Sequence, residues 1–212
     1  MSRGQFIAFE GGEGMGKSTQ ARLLAESLEA SGIQTVLTRE PGGTPGAEAI
    51  RALLLDPPGD GWGKEAEALL FAAARSDHVA RKIRPAMELG KWVICDRFLD
   101  SSRAYQGTAG GLGDERVLDL HNVGSDGLKP DLTIVIDAPS DKVAARLAER
   151  DGNTSDAIGG RDAGYHASVN AAFLDFAARE PARFRVIDGE GTVEEVHMRV
   201  RDAVDSFFAD AP

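Results

Sequence analysis

The stretch that most constrains this chain spans residues 5–20, QFIAFEGGEGMGKSTQ. Phe6, Ile7, Ala8 and Phe9 form a short apolar run that reads as a strand. Gly11-Gly12-Glu13-Gly14-Met15-Gly16-Lys17-Ser18 then matches the phosphate-loop pattern G-x-x-x-x-G-K-[ST]. Beyond it Leu23, Leu24 and Leu28 recur at helical spacing, so a helix opens near Lys17. Each residue type has a physical reason. Glycines let backbone N–H groups converge on an anion without Cβ interference. The helix N-terminus adds partial positive charge, Lys17 a full one, and the Ser18 hydroxyl can ligate Mg²⁺. A chance match anywhere in a chain of this composition is on the order of one percent. The segment from Gly11 to Thr19 is therefore expected to hold a nucleotide phosphate.

At 212 residues the chain suits one domain with a full core, expected to run over 1–212. Its net charge of −10 argues against a general nucleic-acid or anionic-membrane binder, which needs a basic surface. An anionic substrate must instead meet local arginines. The single cysteine, Cys95, allows no disulfide framework and fits a reducing compartment. No apolar run approaches the ~20 residues of a membrane span, and MSRGQF leaves no room for a signal peptide before the first strand. The expected location is the cytoplasm.

Along the chain, apolar runs alternate with helical patterns. Strands are expected at 5–10, 33–38, 92–95, 132–136 and 184–187. Helices are expected at 47–55, 64–89 with a bend or break at Pro85, 115–123, 141–150, 165–179 and 193–208. This order gives an α/β fold with a five-stranded parallel sheet flanked by helices. Residues 151–160, DGNTSDAIGG, have little to bury and are expected to be mobile. Ligands of such sheets sit at the carboxyl ends of the strands, so the loops 11–18, 39–44 and 96–106 carry the information.

Three classes of nucleotide binder compete. A GTPase switch needs a guanine-reading Asn-Lys-x-Asp string, which the chain lacks. A motor ATPase needs more chain and a basic track. A small kinase needs a second anion pocket facing the first, and Arg39, Arg51, Arg75 and Arg97 fall in or near loops at one end of the sheet. Guanidinium forks suit phosphate because they donate parallel hydrogen bonds. Taken singly, each arginine reads as an exposed helix charge. The Asp96-Arg97 pair directly after a buried strand is different, because it is awkward unless it points into a site. Asp96 can hold Mg²⁺ through water or cap the helix that follows.

Five stretches together resemble the thymidylate kinase family over nearly the whole chain: FEGGEGMGKSTQ, TREPGGT, FAAARSDHV with IRPAM, WVICDRF with SSRAYQG, and PDLTIVIDAP. The resemblance implies a P-loop NTPase fold of the nucleoside monophosphate kinase type with a mobile lid near 151–161, and a homodimer packed through helices. It implies ATP and Mg²⁺ as cofactors, with Lys17, Arg97 and Asp96 catalytic and Gly11, Gly12, Glu13, Gly14, Met15, Gly16, Lys17, Ser18 and Thr19 around ATP. Glu13 resembles the acid that accepts from the 3′-hydroxyl of dTMP, and Arg39, Arg51 and Arg97 resemble the clamp on its phosphate. Glu40 would lie near the metal, with Ser18 and Asp96. Phe71 resembles the ring that stacks on thymine, and Arg75, one turn on, would reach the base edge. Ser101, Ser102 and Gln106 resemble further base contacts, and Tyr105 the ring closing on the 2′ side of the sugar. The implied reaction is ATP + dTMP to ADP + dTDP. The alternatives are a kinase of another nucleotide and a non-catalytic nucleotide sensor on the same fold.

The chain departs from the family in one place. Some members carry a basic residue inside the phosphate loop; here the variable positions are Gly12, Glu13, Gly14 and Met15. Many bacterial members place an arginine in the lid, where this chain reads Asp156-Ala157-Ile158-Gly159. Arg146 and Arg150 precede the lid at i, i+4, and Arg161 leaves it. Arg150 is the expected replacement, with Arg161 second, and both are included among the candidate catalytic residues. A transition-state arginine is worth roughly three to five powers of ten in rate. Arg150→Ala should therefore collapse kcat with little change in the KM for dTMP, and a variant within about threefold of the parent in steady-state assays would rule Arg150 out.

Overall fold

The computed structural model describes residues 3–139 and 159–209. Strands β1 (Phe6–Glu10), β2 (Thr35–Arg39), β3 (Trp92–Asp96), β4 (Leu132–Asp137) and β5 (Phe184–Asp188) form one parallel sheet in the order β2-β3-β1-β4-β5. The helices are α1 (Lys17–Ala30), α2 (Pro45–Leu55), α3 (Lys64–His78), α4 (Arg84–Glu88), α5 (Leu99–Ser102), α6 (Asp114–Ser125), α7 (Ala163–Arg179) and α8 (Val193–Ala209). The helix expected over 141–150 and the segment 151–158 lie outside the described residues, and with them Arg146, Arg150 and Ala157.

β1 is a continuous apolar run because both faces of the sheet are covered. Ile7 and Phe9 pack on α1 and α8 through Leu24, Leu28, Val196 and Val200. Phe6 and Ala8 face the other way, onto Val79, Ile83, Met87 and Val117. There the Phe6 and Phe98 rings meet edge to face at 4.8 Å. A third cluster closes the sheet's far end, where Phe173 and Phe176 of α7 pack on Val135, Phe184 and Tyr105.

The long helix expected over 64–89 is broken up. The run over 64–89 is α3, a π-helical turn over Val79–Ile83, and α4. Pro85 lacks an N–H, and its ring would crowd the carbonyl four residues back, so the wider turn falls just before it. The stretch expected as a loop over 96–106 contains the single turn α5, followed by a second π-helical segment, Arg103–Ala109, after which Gly110 N donates to Tyr105 O at 2.8 Å. β2 ends later than expected, so Arg39 is a strand residue in register with Asp96.

β1 has β3 on one side and β4 on the other, so the order reverses there and opens a crevice at the carboxyl ends of β1 and β3. A buried ion-pair cluster braces α5 against the chain entering β5. Asp100 is fully buried and accepts from Arg103 at 2.8 Å and from Arg183 at 2.8 and 2.9 Å. Burial opposes its ionisation, but Arg183 and Arg103 hold its carboxyl below the ordinary range. Arg103 also pairs with Asp114 and Glu180, which joins α6 and the end of α7 to the same point.

Glu10, the last residue of β1, is fully buried and was not singled out by the sequence. Its Oε1 accepts from the backbone N–H of Phe98 (2.9 Å) and of Ser101 (3.0 Å), and its Oε2 from the Ser101 hydroxyl (2.6 Å). It thereby holds the turn containing Arg97, whose φ of 67° is left-handed for a residue with a Cβ and costs roughly 1–2 kcal/mol. Burial, followed by the charge of Asp100, pushes the Glu10 carboxyl from 4.5 up to about 7. A carboxyl raised in this way favours folding when it is protonated, so its contribution is full below the unfolded value and is lost as pH rises toward 7. Glu10→Gln stays neutral at every pH. In urea unfolding at pH 5 and pH 8, the variant should gain on the parent by on the order of 3 kcal/mol at the higher pH; a pH-independent difference would contradict this origin.

Candidate active site

The phosphate loop joins β1 to α1, and two close approaches explain its first glycines. A Cβ on Gly11, at φ 134°, would lie 2.5 Å from the Ile136 carbonyl oxygen, and one on Gly12 would lie 2.4 Å from Asn170 Oδ1 of α7. Met15 belongs to the core beneath the loop, at 3% exposure. Lys17 is 6% exposed, and its Nζ donates to the Gly12 carbonyl, so the amine is held across its own loop. Burial, then the charge of Arg97, pushes the Lys17 amine from 10.5 down to about 8. An anion in the loop would reverse that shift.

Ser18 donates from Oγ to Asp96 Oδ2, linking the first turn of α1 to the end of β3. The other Asp96 oxygen is buried and accepts no hydrogen bond from the described residues. Beside it the Arg97 guanidinium donates to Glu13 Oε1 at 2.6 Å, to Ser101 Oγ at 3.2 Å and to Gly11 O at 3.3 Å. It lies 5.2 Å from the centroid of the Tyr105 ring, and the Tyr105 hydroxyl reaches Glu13 at 3.4 Å.

These groups line one cavity of about 560 Å³. Glu13, Gly14, Gly16, Lys17, Ser18 and Thr19 form one side of it. Arg39, Glu40, Arg51, Phe71, Arg75, Asp96, Arg97, Ser101, Ser102, Tyr105 and Gln106 complete the wall, together with Pro41, Leu55 and Phe98. Arg39 pairs with Glu48 at 3.3 Å, and Arg51 donates to the Pro41 carbonyl at 2.7 Å. Phe71 is half-buried.

Three of the expected site residues are engaged by protein partners. Glu40, expected beside the metal, takes Arg75 Nε at 2.7 Å on one carboxylate oxygen and His78 Nδ1 at 3.0 Å on the other. Ser101, expected at the base, commits its hydroxyl to Glu10 and Arg97. Arg161, expected near the transferring phosphoryl group, pairs with Glu67 of α3 and donates to the Tyr165 hydroxyl of α7. Its guanidinium lies 4.6 Å from the Tyr165 ring centroid.

Arg75 is 3% exposed, and its donors are divided between protein and cavity. Besides Glu40 it reaches Phe98 O at 3.1 Å and Ser102 Oγ at 2.9 Å from Nη2. Nη1 has no recorded partner among the described residues. Gln106 Nε2 donates to Glu67 Oε1 at 2.9 Å, which leaves its amide oxygen as an acceptor. Sequence reasoning passed over Glu10 and His78. The usable signals were an acid inside an otherwise apolar strand and a histidine three residues after Arg75 on one helix.

Comparison with known proteins agrees with this geometry. The family model described as thymidylate kinase matches residues 9–200. The chain is 56% identical over 201 residues to the thymidylate kinase of Rhizorhabdus wittichii, covering 95% of this chain and 97% of that one. It is 49% identical over 200 residues to that of Symbiobacterium thermophilum, covering 94% and 92%. The crystal structure of thymidylate kinase from Ehrlichia chaffeensis superposes with a TM-score of 0.76 at 34% identity, covering 95% of this chain and 99% of that one. With the family model spanning most of its length, this chain belongs to the thymidylate kinase family.

Proposed function

We propose that the chain, acting as one kinase domain, transfers the γ-phosphoryl group of ATP to dTMP, giving dTDP and ADP for dTTP synthesis. The observation that carries this reading is one cavity lined by the Lys17 loop and by Arg39, Arg51 and Arg97, with the Phe71 ring in the same lining. ATP phosphates lie on the loop amides and Lys17. The dTMP phosphate meets the arginine forks, and Phe71 stacks on the base. Arg75 Nη1 and the Gln106 amide oxygen supply a donor and an acceptor to the base edge. Glu13 accepts from the sugar hydroxyl, and Tyr105 closes the sugar's 2′ side.

A divalent cation fits between Ser18 and Asp96, because the orphaned Asp96 Oδ1 is an unused anionic ligand. Ser18 and Asp96 would hold Mg²⁺, which neutralises phosphate charge when bound. Glu40 is already neutralised by Arg75 and is the weaker metal candidate. The attacking group is a phosphate oxygen of dTMP and needs no general base. The chain's work is to align two phosphates, offset the spreading charge and keep water out. Arg150 remains the residue assigned to the transferring group, since Arg161 is held by Glu67 and Tyr165.

Among the described residues no helix is long and apolar enough to cross a membrane, and the buried free thiol of Cys95 suits the reducing cytoplasm. We assign the chain there, as a homodimer. The outward face of α3, where Leu69 is 55% exposed, is the candidate contact.

A coupled ADP-release assay with ATP, Mg²⁺ and a panel of dTMP, dUMP, thymidine and dGMP tests the reaction. Turnover should depend on dTMP, and its absence would overturn the assignment. In that assay Arg97→Lys keeps the charge but loses the fork, and kcat/KM for dTMP should fall on the order of 100-fold. Nucleotide binding should also take up protons. Lys17 is about half neutral at pH 8 in the free chain, and phosphate restores its charge. Titration calorimetry of ATP at pH 8.5, in buffers of different ionisation enthalpy, should register net proton uptake that shrinks toward pH 7; equal heats at both pH values would count against it.

A further inference from the structure

α3 presents Phe71, Arg75 and His78 at i, i+4 and i+7, on one helix face. The first two line the cavity; His78 lies behind them with no exposed surface. A fully buried histidine is ordinarily a packed core group. Here both ring nitrogens are spent on the end of β2 and the residue that follows it. Nδ1 lies 3.0 Å from Glu40 Oε1, and Nε2 lies 2.8 Å from Thr38 Oγ1. A carboxylate oxygen only accepts, so Nδ1 carries the proton it shares with Glu40. The same loop is shaped to admit the ring: a Cβ on Gly43, at φ 90°, would stand 2.5 Å from His78 Nε2 and 2.6 Å from Thr38 Oγ1.

Glu40 links this pair to the cavity. With Oε1 held by His78, its Oε2 is aimed at Arg75 Nε, 2.7 Å away. Arg75 then has Nε and Nη2 occupied and its planar fork fixed, with Nη1 left over on a residue that lines the cavity. A planar guanidinium pinned at two nitrogens has little freedom at the third. We propose that His78 is a positioning residue for base recognition: through Glu40 it sets the direction in which Arg75 Nη1 offers its N–H groups to the pyrimidine. The inference rests on the reading of the cavity as the dTMP site. Its chemistry is selective, because the 4-carbonyl of thymine accepts from Nη1 whereas the 4-amino group of cytosine sets donor against donor.

Asn and Gln replace the two halves of the ring. His78→Asn places an amide N–H near the Nδ1 position and keeps the donor to Glu40. His78→Gln reaches the Nε2 position, keeps Thr38 and abandons Glu40. Steady-state kinetics on the full chain should give a KM for dTMP raised about tenfold in His78→Gln, with kcat and the KM for ATP within about threefold of the parent. The preference for dTMP over dCMP should fall by a similar factor, and His78→Asn should restore both. Glu40→Gln, which leaves the ring in place, should likewise raise the KM for dTMP and lower the preference over dCMP, and serves if His78→Gln does not fold. Folded variants with parental dTMP KM and parental discrimination would overturn the role, as would equal losses toward ATP and dTMP. Should the parent itself form no ADP in response to dTMP, the functional reading fails first. A parent active on dTMP beside indifferent variants overturns only the inference about His78.

Discussion

Arg97 is the charge on which the crevice depends. It stands at the end of β3, and Glu10, Glu13 and Asp96 all act on its electrostatics. Without a buried cation these carboxylates would repel one another and any phosphate brought to Lys17. With it, Glu13 gains a 2.6 Å partner and the loop carbonyl of Gly11 gains a donor. Glu10 offsets the left-handed backbone by capping two N–H groups of the turn that follows. The guanidinium is thus aimed from below by β1 and from the side by Tyr105.

The two walls of the cavity meet through Arg97, Tyr105 and Asp96 but draw on different helices. The phosphate loop depends on β1, α1 and the backing of α7 at Gly12, and Lys17 is satisfied within the loop itself. The opposite wall hangs from α3. Phe71, Arg75 and His78 share one face of that helix, Asp77 of the same helix accepts from the Thr44 hydroxyl, and Glu67 holds Gln106. The two walls therefore rest on different parts of the core. Losses on one side need not propagate to the other.

Motif and periodicity carried most of the fold. The strand before the phosphate loop, the loop itself and the continuous apolar runs of β3 and β4 were legible because their chemistry leaves few alternatives. Helix ends and the π-helical turns were not, since they depend on how Pro85 and Gly110 are accommodated in three dimensions. At the site, the expected residues mostly fall on one cavity wall, yet the partners of Glu40, Ser101 and Arg161 were illegible. A carboxylate beside phosphate-binding residues reads as a metal ligand until the structure reveals His78 and Arg75 against it. Glu10 was hidden for the opposite reason: it sits where an apolar residue is expected, and its donors come from a turn 88 residues away.

The overall charge of −10 also takes on a different meaning once the arginines are placed. Nucleotides are anions, so this surplus works against their long-range attraction. At physiological ionic strength, however, such fields fade within about 8 Å. Inside the cavity Lys17, Arg75 and Arg97 act at hydrogen-bond distance and are shielded from solvent, where an ion pair or charged hydrogen bond is stronger than in water. Affinity is therefore set by short-range donors already directed into the cavity, and the acidic exterior costs binding little. The same buried cations would be a liability without their carboxylate partners. That is why Glu13 and Glu40 belong to the architecture of the pocket before either meets a substrate.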